Sequence, residues 1–324
     1  MKKLLALVFI LTLFASCKKT PKMVRFTGNA LGTYYVVTYF DTNNRDFQKE
    51  IDSILSDFLL IASLHNPNSE IVAVNNNTDI ELSPMFQDIF FKAQSISELT
   101  NGAFDFTVGP LVNAYGFWNV ERIDITQEMI DKFLKLVDYR SVHIENNKIV
   151  KHNPGILIDF NAIAKGYAVD LIGDFLEQQN ISSFLIDIGG EILGRGRKPD
   201  GSCWKVGIEQ PALDSLSERK VEYVIDLCNA ALATSGNYRR YFVKDGVRYS
   251  HTIDPISGKP VFHSLLSVTV RDKYVWRADA FATAFMVLGV EKSLELIENL
   301  KDVEAFFISS ESDGSFSITK SKNF

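Results

Sequence analysis

The chain has 324 residues, 46% hydrophobic and 23% charged, which is enough to build one large domain or two ordinary ones around a real core. Its net charge is −6, from 34 basic and 40 acidic residues, and the basic residues form no stripe, which argues against a nucleic-acid partner. The 24 Phe are a heavy aromatic content, some for the core and some available to line a pocket for a flat ligand.

The N-terminus has to be set aside before the fold is read. Lys2 and Lys3 precede an apolar run from Leu4 to Phe14, too short to span a bilayer as a mature helix. The run ends Leu13-Phe14-Ala15-Ser16-Cys17, and small residues directly before a Cys resemble a bacterial lipobox. That resemblance implies a signal peptide over residues 1–16, lipidation of Cys17, and a tether over 17–30 ahead of one domain over 31–324. The chain is then expected to sit in the cell envelope, facing the periplasm, held to a membrane by its acyl chains. Of the other cysteines, Cys203 and Cys228, neither has the spacing of a redox or zinc site. An oxidising compartment would permit a bridge between them, and the sequence leaves that pairing open.

In chain order, Leu31 to Phe40 alternates with β-branched and aromatic residues and reads as a strand. Phe47 to Leu64 carries apolar residues at helical spacing, and Pro84 opens a second helix that runs to about Leu99 and stops at Asn101-Gly102. Ile156 to Phe160 reads as a short buried strand, Ala164 to Gln179 as a helix, and Phe184 to Ile188 as a strand ending in Gly189-Gly190. Strands follow at Trp204 to Ile208 and Val221 to Leu227, with a hairpin signal at Lys244-Asp245-Gly246. Ala278 to Leu288 reads as a helix closed by Gly289, followed by one more helix and a strand near Ala305 to Ile308. No repeat, low-complexity tract or long linker interrupts the chain. Helices and strands mix without a regular βαβ alternation, so the expected class is α+β with a largely antiparallel sheet.

Several stretches spend glycines and polar residues where a plain fold would not need them. Asn101-Gly-Ala-Phe-Asp-Phe-Thr-Val-Gly-Pro describes a shaped loop in which Phe104 could support a ring, or simply a helix stop followed by a strand. In Asp159-Phe-Asn-Ala-Ile-Ala-Lys165-Gly166-Tyr, a Lys in a first helical turn opposes the helix dipole, which hints at a phosphate or leaves a solvated side chain. Asp187-Ile-Gly-Gly-Glu offers close backbone approach, as any tight hairpin does. His251, three residues before Asp254-Pro255, is a proton carrier or a structural donor. Asp279 and Thr283 stand at i and i+4 of a helix, a carboxylate and a hydroxyl on one face, suited to Mg²⁺ bridged to a pyrophosphate. A helix cap is the other reading of Asp279.

Taken in order with Gly201 to Pro211, Thr234-Ser-Gly-Asn-Tyr and His251 to Pro260, these blocks resemble the ApbE family of FAD:protein FMN transferases from about Leu31 to Gly289. The resemblance implies an ApbE-like fold. It also implies an enzyme that uses FAD and Mg²⁺, with Mn²⁺ able to substitute, to attach FMN by a phosphoester to a Ser or Thr of another protein, releasing AMP. Residue by residue, it implies flavin or nucleotide contacts at Leu31, His65, Ala103, Phe104, Asp105, Asp159, Lys165 and Ile253. The metal would be held by the Ala162 carbonyl, Asp279 and Thr283, and His251 is the expected base. Leu31 replaces a family Met, and His65 replaces an adenine-stacking Tyr. The family's acceptors carry a Gly-Ala-Ser or Gly-Ala-Thr motif that this chain lacks, so the implied partners are other envelope-facing proteins, such as subunits of membrane redox complexes. Two readings compete with transfer: a Mg²⁺-dependent FAD pyrophosphatase and a non-catalytic FAD-binding lipoprotein.

Overall fold

A computed structural model describes residues 20–118, 125–211, 220–237, 241–244, 247–250 and 252–324. The expected signal peptide, Cys17 and His251 lie outside the described residues. Among the described residues, no helix is long and apolar enough to cross a membrane.

The elements are β1 (Lys22–Ala30), β2 (Thr33–Asp41), α1 (Gln48–Ala62), α2 (Glu70–Asn75), α3 (Pro84–Leu99), α4 (Gly109–Ala114) and α5 (Gln127–Leu134). They continue with β3 (Val142–Glu145), β4 (Lys148–Lys151), α6 (Asn161–Gln178), β5 (Phe184–Ile188), β6 (Glu191–Arg195), β7 (Trp204–Glu209), β8 (Val221–Leu227) and β9 (Asn229–Gly236). The last are β10 (Tyr241–Lys244), β11 (Val247–Ser250), β12 (Leu265–Asp272), α7 (Val275–Ile297), β13 (Glu304–Ser310) and β14 (Phe316–Lys320). Eight strands form one sheet in the order β1-β2-β5-β6-β9-β12-β13-β14, antiparallel at every junction. The α+β class with an antiparallel sheet is what the chain adopts.

Alternation along the strands separates the two faces. Phe184, Ile186, Leu193, Ala231, Ala233, Val268, Val270 and Phe307 enter the main core beneath α6 and α7, while Leu185, Ile192 and Leu232 turn the other way. The β7–β8 hairpin covers that second face with Trp204, Val206, Ile225 and Leu227. Cys203 and Cys228 close the hairpin as a disulfide, their Cα atoms 4.9 Å apart. The apolar stripes expected of α1 and α3 are buried, and α3 starts with Ser83 Oγ accepting the Phe86 N–H just before Pro84.

Four expectations need correction. Leu31 is not in a strand: with Gly32 it forms the two-residue turn between Ala30 and Thr33, at φ 49° and 73°. Lys22 to Ala30, expected within the tether, pairs with β2 as an edge strand that buries little besides Phe26. Ile156 to Phe160 makes only one bridge, Leu157 to Val108, because its polar groups are used on loops rather than on a sheet neighbour. The strand expected after Asn101-Gly102 is the short helix α4. The hairpin expected at Lys244 is present as β10–β11, and Gly289, at φ 75° and ψ 178°, ends the first helical run of α7 as expected, with a second run following across the kink.

α6 and α7 are tied by a cap between elements distant in sequence. Tyr274 precedes α7 with no side-chain cap; instead Asp170, midway along α6, accepts the Trp276 N–H at 2.8 Å and bonds the Val275 N–H. Burial pushes the Asp170 carboxyl up to about 7, against those two N–H groups and Arg195, which lower it. Because this value is above the ordinary 3.8, the folded chain holds a proton that the unfolded chain releases. That contribution to stability is complete below about pH 4 and is lost as pH rises through about 7. Asp170→Asn is therefore expected to flatten the fall in stability between pH 4 and pH 7, measured by urea unfolding across that range. An unchanged slope would contradict this assignment.

Candidate functional site

The site lies where the β1–β2 turn, the β5–β6 turn and the start of α6 meet the first half of α7. Gly189 and Gly190 connect β5 to β6 at φ 62° and 106°, values that L side chains rarely adopt. A Cβ on Gly189 would lie 2.7 Å from Thr33 Cγ2, so the two turns are packed side by side. The Asp187 carboxylate accepts the Gly190 N–H at 2.8 Å and holds the second turn.

The two helices approach most closely at Gly166. A Cβ there would lie 2.4 Å from the Val275 carbonyl oxygen and 2.8 Å from Asp279 Cβ, so only glycine permits this contact. The Gly166 N–H donates to Asp279 Oδ2 at 2.9 Å. In an α-helix that N–H serves the carbonyl four residues back, which here is Ala162. The bond sets the Asp279 carboxylate against the start of α6, whose first turn contains Ala162. Asp279 is not a cap: α7 begins at Val275, so the carboxylate sits a full turn inside the helix and 4% exposed. Thr283, one turn further on, has its Oγ1 3.4 Å from Ser235 Oγ on β9.

Lys165 is ion-paired with Glu191, the first residue of β6, and Glu191 is only 1% exposed. Burial pushes both Glu191 and Asp279 up from ordinary carboxylate values. The Lys165 ammonium opposes the rise in both, and Asp279 adds to that of Glu191. Two buried carboxyls therefore face one ammonium, and with both ionised the cluster carries a net negative charge in a region of low dielectric. Glu191 Oε2 has no hydrogen-bond partner. A divalent cation fits this donor set: the oxygens are hard, and positive charge is what the cluster lacks. Among the described residues, no group of three or more His, Cys, Asp or Glu is arranged to hold a metal, and a Mg²⁺ site completed by phosphate does not require one.

A second group of expected residues gathers about the 103–108 loop and the segment that leads into α6. The Asp159 N–H donates to the Phe106 carbonyl at 2.7 Å, joining the 103–108 loop to the start of α6. The Asp159 carboxylate accepts the Asn161 N–H and Trp118 Nε1–H at 2.7 and 2.8 Å. Its carboxyl is raised by burial and lowered by those bonds and by the nearby His65. His65 is exposed, so its imidazole can offer a face to a ring. Asp105 organises its own loop: Oδ1 accepts the Thr107 N–H and hydroxyl, and Oδ2 accepts the Tyr139 N–H. Ala103 and the Phe104 ring are buried, Phe104 in the main core, so its ring backs the loop rather than presenting an open stacking face. Ile253 is buried against Leu111 and Tyr115. A cavity of about 420 Å³ lies elsewhere, between α2 and the β3–β4 hairpin, and contains none of the expected residues.

The family model described as the ApbE family matches residues 31–307. The chain belongs to the ApbE family. It is 36% identical over 307 residues to the FAD:protein FMN transferase of Vibrio cholerae, covering 92% of this chain and 91% of that protein. To the Haemophilus influenzae protein of the same name it is 35% identical over 341 residues, covering 100% and 97%. The solved flavin transferase ApbE from Vibrio cholerae superposes with TM-score 0.83 at 34% identity, covering 94% of this chain and 98% of that one. The apo flavinyl transferase ApbE of Pseudomonas stutzeri gives 0.84 at 35%, covering 94% and 96%. The fold is thus an ApbE fold.

Glu191 is the site residue that sequence reasoning missed. Its Gly-Gly-Glu context marks a turn, and only the fold brings it to Lys165. The Gly166 contact yields a direct test. Gly166→Ala is expected to lower stability by about 1–3 kcal/mol through overpacking, read by chemical unfolding, and to weaken metal-dependent FAD binding. A variant as stable as wild type would show that the helices do not need this contact.

Proposed function

We propose that the chain is a FAD:protein FMN transferase that binds FAD with a divalent cation and passes the FMN half to a Ser or Thr hydroxyl of an acceptor protein. The observation that carries this reading is the buried meeting of Lys165, Glu191 and Asp279 beside two glycine turns, in a chain of the ApbE family. Lys165 holds pyrophosphate oxygens. Asp279, Thr283 and the Ala162 carbonyl hold Mg²⁺, or Mn²⁺ in its place. Leu31, His65, the 103–105 segment, Asp159 and Ile253 position the flavin and the nucleotide.

In the transfer, the acceptor hydroxyl oxygen bonds to the FMN-side phosphorus. The bond from that phosphorus to the bridging oxygen breaks, and the bridging oxygen leaves with AMP. The hydroxyl proton goes to a base, for which His251 is the candidate. The cation, when bound, supplies neutralisation of charge on the pyrophosphate oxygens. Beyond the proton transfer, the protein's task is positioning and charge compensation.

The acceptors are proposed to be envelope-facing subunits of membrane redox complexes that carry a Gly-Ala-Ser or Gly-Ala-Thr motif. The chain is proposed to reach them as a lipoprotein acylated at Cys17. Support comes from the Leu13-Phe14-Ala15-Ser16-Cys17 sequence and from the Cys203–Cys228 disulfide, since such bridges persist in oxidising compartments.

The test uses the chain from Lys18 onward with FAD, Mg²⁺ and an acceptor domain bearing Gly-Ala-Thr, followed by intact mass spectrometry of the acceptor. The expected result is an added FMN phosphoester that is lost with EDTA. Asp279→Ala is expected to slow transfer on the order of 100-fold, and His251→Ala to bind FAD but not transfer. AMP with free FMN and an unmodified acceptor would make the protein a pyrophosphatase, and intact FAD would leave a binding protein.

A further inference from the structure

Glu191 occupies a position where the fold calls for an apolar side chain. On β6 it alternates with Leu193 on the face that looks toward α6, and Leu193 Cδ2 would lie 2.5 Å from a Cβ on Gly173 of that helix. A carboxylate in such a place loses its water, and an oxygen left without a partner is costly, the more so when charged. One oxygen is compensated: Oε1 is ion-paired with Lys165. The other, Oε2, is buried with no hydrogen-bond partner. Its surroundings add a negative charge, because Asp279, itself buried, is close enough to act on Glu191 electrostatically. Lys165 is a third exposed, so an anion arriving from solvent can reach its ammonium while Glu191 stays enclosed.

We propose that Glu191 is a ligand of the divalent cation, supplying Oε2 beside Asp279 and Thr283, while its Oε1 positions Lys165 for the pyrophosphate. This rests on the cation site of the proposed function and goes beyond it by adding a carboxylate that the expected ligand set does not contain. Two carboxylates, a hydroxyl and the Ala162 carbonyl would then hold the cation, with substrate phosphate completing the shell. The orphaned oxygen is thereby accounted for: costly by itself, it would be paired by the cation.

The test titrates Mn²⁺ into the soluble chain from Lys18 onward in the presence and absence of FAD, with free Mn²⁺ read by electron paramagnetic resonance. Wild type, Glu191→Gln, Lys165→Met/Glu191→Gln and Asp279→Asn are compared, with folding checked by thermal unfolding. Glu191→Gln keeps the shape and is expected to weaken Mn²⁺ binding about tenfold or more. The double variant separates a ligand from a mere shield. Because Lys165 also contacts the pyrophosphate, the double variant is compared with wild type without FAD. It removes the ammonium as well as the carboxylate, so if Glu191 acts only by neutralising Lys165, Mn²⁺ affinity without FAD equals that of wild type without FAD. The proposal expects it to stay weak. The double variant also keeps the test available if the single one unfolds around an unpaired Lys165. Mn²⁺ binding that weakens in Asp279→Asn but is normal in Glu191→Gln, or is restored in the double variant, would overturn the role of Glu191 and leave the cation site standing. Normal binding in Asp279→Asn would remove the cation site, and this proposal with it.

Discussion

Everything in the site depends on how closely α6 and α7 approach at Gly166. The contact leaves no room for a Cβ against the Val275 carbonyl and Asp279. It lets a main-chain N–H of one helix reach a carboxylate inside the other. From the opposite direction, Asp170 of α6 caps the start of α7. The helix pair is thus fixed both by a backbone contact and by two carboxylates that accept N–H groups across it. Both helices lie on the same face of the sheet, so fixing one against the other also fixes Lys165 against the hairpin that carries Glu191.

The second constraint is electrostatic. Desolvation raises Asp105, Asp159, Asp170, Glu191 and Asp279 alike, but they differ in what opposes it. Asp105, Asp159 and Asp170 accept several N–H or O–H donors and serve to hold loops and a helix end in place. Glu191 and Asp279 are opposed chiefly by one ammonium, and one oxygen of Glu191 has no partner. Loop-holding carboxylates are satisfied within the chain, whereas the pair beside Lys165 calls for further positive charge. That contrast separates the architecture around the site from the place where chemistry is proposed.

Much of this was legible in the sequence where the cause is local. The stripes of α1 and α3 follow from helical spacing, the β5–β6 turn from Gly189-Gly190, and the shared face of Asp279 and Thr283 from the i, i+4 rule. Lys165 against the helix dipole pointed to a missing anion, and part of the answer is Glu191, within the chain. What was not legible depends on contacts between distant segments. Glu191 meets Lys165 across a turn and a strand, and Asp170 caps a helix 106 residues away. β1 buries too little to betray itself as an edge strand. Leu31 has the composition of a strand residue, but the turn needs its positive φ, a conformation that is costly for such a side chain and is found mostly at functional positions.

The most direct test of the account is the coupling between Mg²⁺ and FAD, measured by fluorescence titration of FAD with and without Mg²⁺ in wild type and in Asp279→Asn. Asn keeps the volume and the acceptor for Gly166 but removes the charge. Mg²⁺ is expected to tighten FAD binding about tenfold or more in wild type and to have little effect in the variant. Equal tightening in both would mean that the cation binds elsewhere, and that the helix crossing at Gly166 does not build the site.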